Sequence, residues 1–232
     1  MGILCNPATT PRELARGCPP APAWMACHFE GRGLRDLPRR LPPGSLRILD
    51  DSTLPEDPDP ERIGDQLTRC IRALSCAGLL LDFESPEDPA LRAVAVYLDK
   101  VLPCPVALPD TWGQITQGPV FLTLLPPHSS LAAAAAPWQG RELWLELGPA
   151  AEVITLTAAG AEISPVTEPL PPCPFRDPEL CCAYGITCGK EEAVLTLSRG
   201  REELRALLHQ AEDLGFTSAV GLYDEIGFLL QP

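Results

Sequence analysis

Lysine is nearly absent from this chain. Of its 18 basic residues only Lys100 and Lys190 are lysine and the rest are arginine, a bias that accompanies the abundant Ala, Pro and Gly of a GC-rich coding sequence. Histidine is scarce as well. His28, His128 and His209 are the only three, and none stands in H-x-H or H-E-x-x-H spacing, so no metal site is expected. Cysteine is frequent, ten in all, yet no pair shows C-x-x-C spacing, which excludes a zinc knuckle and a thioredoxin-like redox pair. The expectation is free, buried thiols. No G-x-G-x-x-G or G-x-x-x-x-G-K follows the first strand, and no G-x-S-x-G elbow is present. No cofactor is therefore expected. Apolar runs are too short to span a bilayer. The N-terminus lacks a charged region followed by an apolar one, and Asn6 stands where a myristoylation signal needs Ser or Thr. These absences together lead to the expectation of a cytoplasmic protein.

Acid and proline are in excess. Asp and Glu number 31 against 18 Lys and Arg, for a net charge of −13. Such a surface repels nucleic acid and anionic membranes, so neither is expected as a partner. The 28 prolines in 232 residues are more than twice the usual share of about 5%. They are dispersed without a period, which excludes collagen and a proline-rich linker and predicts short elements joined by many loops. Hydrophobic residues make up 45% and charged ones 21%, enough apolar material for a real core.

The pattern along the chain alternates strands with helices. Residues 1–22 read as an irregular segment. Strands are expected at 24–30, 45–50, 78–83, 105–108, 119–125, 141–147, within 181–197 and at 218–222. Asp59-Pro60 and Asp88-Pro89 are helix starts, an N-cap followed by proline in the first turn. Ile63, Leu67, Cys70, Ile71 and Leu74 recur at helical spacing, as do Leu91, Val94, Ala95 and Leu98, and later Leu204, Leu207, Leu208 and Ala211. A short helix is expected over 131–136, and a hairpin over 152–157 and 161–166 around Gly160. The continuous apolar run Leu79-Leu80-Leu81 is how a strand buried on both faces reads. Eight strand positions in a chain of this length fit a compact (β/α)₈ TIM-like barrel, with some crossover helices reduced or replaced by hairpins. The barrel would be a single domain over 23–228. A doubly wound open sheet is the alternative fold.

Polar residues at the strand ends would then ring one mouth, where barrel active sites sit. Candidate ligand-binding residues are His28, Glu30, Asp50, Asp110, Trp112, His128, Glu146, Tyr223 and Glu225. Arg199 is nearly the only cation among them. Carboxylates accept sugar hydroxyls and aromatic faces stack on sugar rings, so the ring suits a carbohydrate or another small polar ligand better than a phosphate. Trp112 is the expected stacking surface, and Trp144 is expected outside the barrel.

The sharpest motif is Ala77-Gly78-Leu79-Leu80-Leu81-Asp82-Phe83-Glu84. Asp82 and Glu84 are two apart and so share a strand face. Here the chain resembles the chitinase-like family 18 glycoside hydrolases, whose third barrel strand carries D-G-x-D-x-D-[WF]-E. The match is at Gly78, Asp82, Phe83 and Glu84, while Ala77 and Leu80 occupy the other two aspartate positions. The resemblance implies that Glu84 is the catalytic general acid, protonating the leaving oxygen. It implies that Asp82 is its partner, orienting the acetamido group of the substrate in substrate-assisted cleavage. Tyr184 and Tyr223-Asp224 are candidates for the Tyr-Asp pair of that family. Two other readings stand beside this one. The first is a barrel of the same ancestry that binds without cleaving, or serves as a scaffold. The second is an unrelated barrel enzyme for a small polar metabolite.

Overall fold

The computed structural model describes residues 2–17, 19–166 and 173–230. Eight parallel strands close into a barrel: β1 (Leu4–Thr9), β2 (Ala23–Glu30), β3 (Leu46–Asp50), β4 (Gly78–Asp82), β5 (Val106–Pro109), β6 (Val120–Leu122), β7 (Leu143–Glu146) and β8 (Ser218–Leu222). Each pairs with its neighbour in sequence, and β1 closes the ring by pairing with both β8 and β2. The (β/α)₈ expectation holds and the open sheet does not.

The first strand corrects the reading of 1–22 as irregular. Asn6-Pro7 looks like a turn, yet it lies inside β1. Leu4 donates its N–H to Thr217 on the β8 side. Alternation along the strand then puts the missing N–H of Pro7 on the β2 side, where pairing is confined to Ala8 and Thr9. Asn6 is fully buried and satisfied. Its Nδ2 donates to the Ala21 carbonyl at 2.9 Å, and its Oδ1 accepts from the Ser218 hydroxyl at 2.8 Å. One side chain thus ties the first strand to the last and to the approach to the second. Because β1 is a barrel strand, the motif strand is the fourth, not the third.

Helix α1 (Pro11–Arg16) follows β1, α2 (Pro60–Leu74) follows β3, α3 (Pro89–Val101) follows β4 and α4 (Leu131–Ala135) follows β6. A hairpin strand, Gly33–Arg35, and a single 3₁₀ turn, Asp110–Trp112, replace the helices after β2 and β5. Both Asp-Pro starts cap as expected. Asp59 accepts the Arg62 N–H, and Asp88 accepts those of Ala90 and Leu91. The buried faces are Ile63, Leu67 and Ile71 on α2 and Leu91, Val94 and Leu98 on α3, each contributing about 1.5–3 kcal/mol of apolar burial.

The expected seventh barrel strand is the largest correction. Five strands form a separate antiparallel sheet inserted after β7, in the order Gly160–Pro165, Ala150–Thr157, Glu192–Arg199, Cys182–Cys188, Phe175–Asp177. The expected hairpin is real and forms one edge of this sheet. Helix α5 (Arg201–Asp213) then returns to β8, and α6 (Tyr223–Ile226) follows it. Arg199 pins the sheet to the barrel. Its guanidinium donates to the carbonyls of Cys181, Leu180, Leu125 and Ser129, the last two in the loop after β6.

The barrel interior is packed by Ala8, Leu46, Ile48, Leu80, Ala107, Phe121, Trp144 and Val220. Trp144 is therefore inside, not outside. Gly78 makes room for it, since a Cβ there would stand 2.7 Å from the Trp144 ring. Cys18 lies outside the described residues, and Cys5, Cys27, Cys70, Cys76, Cys104, Cys181, Cys182 and Cys188 are free. Burial pushes Cys27 up to about 12 and Cys5, Cys104 and Cys182 to about 11, so these thiols stay protonated and inert.

Candidate functional site

Strand alternation decides what reaches the mouth. On β4 the inward side chains run Gly78, Leu80 and Asp82, and Glu84 follows two residues past the strand end. The intervening Phe83 points outward into the core, 6.1 Å from Phe29 and 5.8 Å from Trp112 by ring centroids. On β3 the same alternation delivers Asp50, which stands in register with Asp82. Asp51 follows, and its Oδ2 accepts the backbone N–H of Glu84 at 3.0 Å. The structure thus gathers Asp50, Asp51, Asp82 and Glu84 at one side of the mouth.

Glu146, at the end of β7, faces this group. Its Oε2 accepts the Leu124 N–H at 2.7 Å. Withdrawal from water raises its carboxyl above the usual range, the Leu124 hydrogen bond pulls it back, and the charges of Asp82 and Glu225 raise it further. Asp82 is raised for similar reasons. Crowding by protein atoms is the larger cause even though the side chain keeps contact with solvent, and Asp50, Asp51 and Glu84 add their repulsion. No inner carboxylate lies beneath Asp82, because Leu80 is buried in the apolar interior.

The remaining candidates divide. His28 Nδ1 lies 3.2 Å from Asp50 Oδ2, close enough to pair when protonated but out of line for a hydrogen bond. Asp110 sits in the turn after β5 and accepts the Thr123 hydroxyl at 3.3 Å. Glu225 is exposed in the first turn of α6, and half-buried Tyr223 opens that helix. Glu30 stands on the hairpin beyond the parallel part of β2, paired with Gly33. His128 turns to the inserted sheet, its Nδ1 lying 2.8 Å from Oε1 of the buried Glu152. Two expectations fail. Trp112 is 2% exposed, with its indole N–H on the Phe83 carbonyl at 2.7 Å, so neither ring face is open for stacking. Arg199 is buried among carbonyls and offers no cation to a ligand. Tyr184 lies on the inserted sheet, stacked with Phe175 at 5.3 Å, and Tyr223 is the tyrosine at a barrel strand end.

Sequence reasoning missed Thr9 and Thr10 at the end of β1 and Thr123 beside Asp110. A signal for the first pair was present. Thr10-x-x-Glu13 is a capping box, with the Glu13 carboxylate on the Thr10 N–H and hydroxyl at 2.7 Å, and it marks a strand-to-helix junction. Among the described residues no cluster of three or more His, Cys, Asp or Glu could hold a metal ion, and no helix is long and apolar enough to cross a membrane.

No family model and no curated protein matches this chain. Solved structures do. The spore cortex-lytic enzyme SleL of Bacillus cereus aligns with a TM-score of 0.56 at 9% identity, over 95% of this chain and 70% of that one. SleL of Bacillus megaterium QM B1551 aligns with a TM-score of 0.43 at 9% identity, over 76% of this chain and 55% of that one. At such identity the likeness is one of fold, and this chain shares the (β/α)₈ barrel of the Bacillus cereus enzyme.

Proposed function

We propose that the mouth binds a carbohydrate and that Glu84 and Asp82 are the pair that acts on it, Glu84 as general acid and Asp82 as its partner. The observation that supports this reading is the gathering of Asp82, at the C-terminal end of β4, with Asp50, Asp51 and Glu84, Asp51 accepting the Glu84 backbone N–H. Barrel chemistry belongs at that end of the strands. A mouth rich in carboxylate acceptors suits uncharged hydroxyls. The fold likeness to a cortex-lytic enzyme supports the same substrate class by analogy. The raised proton affinity of Asp82 lets that group hold or share a proton near the substrate. Asp50 and Asp51 supply the like charge that Ala77 and Leu80 cannot. The free thiols support a reducing, cytoplasmic setting for this activity.

A second reading is binding without cleavage. Leu80, buried where the resemblance has an aspartate, favours it. Calorimetric titration of N-acetylated and plain oligosaccharides into wild type and Glu84→Gln separates the two, with product analysis alongside. Binding by both proteins and cleavage by wild type alone is the expected result. Binding without cleavage by either leaves the silent barrel, and no binding to either removes the carbohydrate reading.

A further inference from the structure

The inserted sheet has two unlike faces. Alternation puts Ile154 and Leu156 on one and Val153 and Thr155 on the other. The register sets Ile163, Ile154, Leu195 and Ile186 side by side in one row across four strands. The opposite face has Glu162, Thr155, Val194 and Thr187 in the corresponding row. Ten large hydrophobic side chains are exposed among the described residues. Four of them, Leu156 (40%), Ile163 (49%), Phe175 (52%) and Ile186 (52%), lie together on the first face. The other six are distributed over the barrel strands, helices and loops. A sheet with an apolar face requires a second layer, and a contiguous exposed patch marks an interaction surface.

We propose that the second layer is another copy of this chain, the two sheets stacking face to face about a twofold axis. The area fits. Four strands about 4.8 Å apart and five residues at about 3.4 Å each, with Phe175 of the three-residue fifth strand at the edge, give a footprint of roughly 350 Å². The corrugated surface is larger than its footprint, so a pair would bury on the order of 1,000 Å², the lower bound of a specific interface. The charge fits as well. The protein carries −13, but the carboxylates on this face are Glu152, buried and held by His128, and half-buried Asp177, which accepts the N–H groups of Glu179 and Leu180, and both lie outside the exposed apolar rows. Two such faces meet without opposing like charges. Aliphatic rows of this kind interdigitate across the roughly 10 Å that separates stacked sheets. The interface is isologous and closes at two copies.

Sedimentation velocity over a concentration series tests the proposal. Wild type should shift from 25.0 kDa to twice that mass as concentration rises. The exposed-site variant Ile163→Arg/Ile186→Arg should stay at the monomer mass, and Thr187→Arg on the opposite face should dimerise as wild type does. Cys188 provides a readout that needs no variant, being exposed on the same face beside Ala193. Its maleimide labelling should slow at least tenfold between dilute and concentrated wild type. A wild type that stays at monomer mass at high concentration, with Cys188 labelling independent of concentration, overturns the proposal. So does a dimer that survives in the double variant.

Discussion

Asp82 is held where its charge is unfavourable. Withdrawal from water, and then the charges of Asp50, with which it stands in register, Asp51 and Glu84, raise its carboxyl in the fold above the ordinary 3.8. The folded state therefore binds this proton more tightly than the unfolded chain does. The penalty for ionised Asp82 is complete above the raised value, shrinks as pH falls towards 3.8 and is absent below it. Asp82→Asn should accordingly raise Tm at neutral pH, with the gain fading in acid. Thermal unfolding of both proteins between about pH 3 and pH 7 checks this. Equal Tm values at pH 7, or a gain that grows in acid, would contradict the placement of Asp82 in a repulsive cluster. Arg47 is a second residue under tension. It is fully buried, its Nη2 donates to Cys76 Sγ at 3.1 Å, and its Nε and Nη1 have no partner among the described residues.

At the scale of elements, Arg199 makes the densest set of hydrogen bonds between the inserted sheet and the barrel. Arg199 leaves the end of strand Glu192–Arg199 and uses its fork on four carbonyls, two of them in the loop after β6. Desolvation lowers its proton affinity, and the carbonyls compensate. A lysine has the charge but not the fork. Arg199→Lys should cost about 2–4 kcal/mol in urea unfolding and expose the junction to protease before the barrel itself opens. A loss below about 0.5 kcal/mol would mean that other contacts hold the sheet. The neighbouring His128–Glu152 pair belongs to the same junction, which explains why His128 is not in the carboxylate group of the mouth.

At the scale of the molecule, charge is the dominant feature. A net −13 opposes compaction by self-repulsion, and part of that repulsion is concentrated at the mouth. Raising NaCl from about 0.01 M to about 0.5 M shortens the Debye length from about 30 Å to under 5 Å. Tm should rise by a few degrees over that range. A Tm that falls would show that attractive surface pairs, such as Arg176 with Glu202 and Glu203, outweigh the excess of acid. The barrel itself is stabilised by burial rather than by charge. Its interior and the layer between strands and helices are apolar throughout, apart from satisfied groups such as Asn6 and the under-satisfied Arg47.

Local chemistry wrote several parts of this protein legibly into its sequence. Helices α2, α3 and α5 were readable because their apolar positions repeat every three to four residues and two of them open with Asp-Pro. The inward place of Asp82 was readable because strand residues two apart share a face and Leu80 lies in the barrel interior. Tertiary structure alone decided the rest. The count of eight strand positions agreed with the barrel because missing β1 and counting the inserted sheet cancelled. A period of two reports that a strand has two faces, and it carries nothing about which sheet the strand joins. Asn6-Pro7 has a turn signature that only the closing contacts to Ser218 and Ala21 override. Trp112 carries no local mark that separates a ligand platform from a core residue, and packing on Phe83 settles it. Closure, register and packing are contacts between residues far apart in the chain. Short-range patterns therefore specify the elements, and the long-range contacts specify which of their side chains form the mouth.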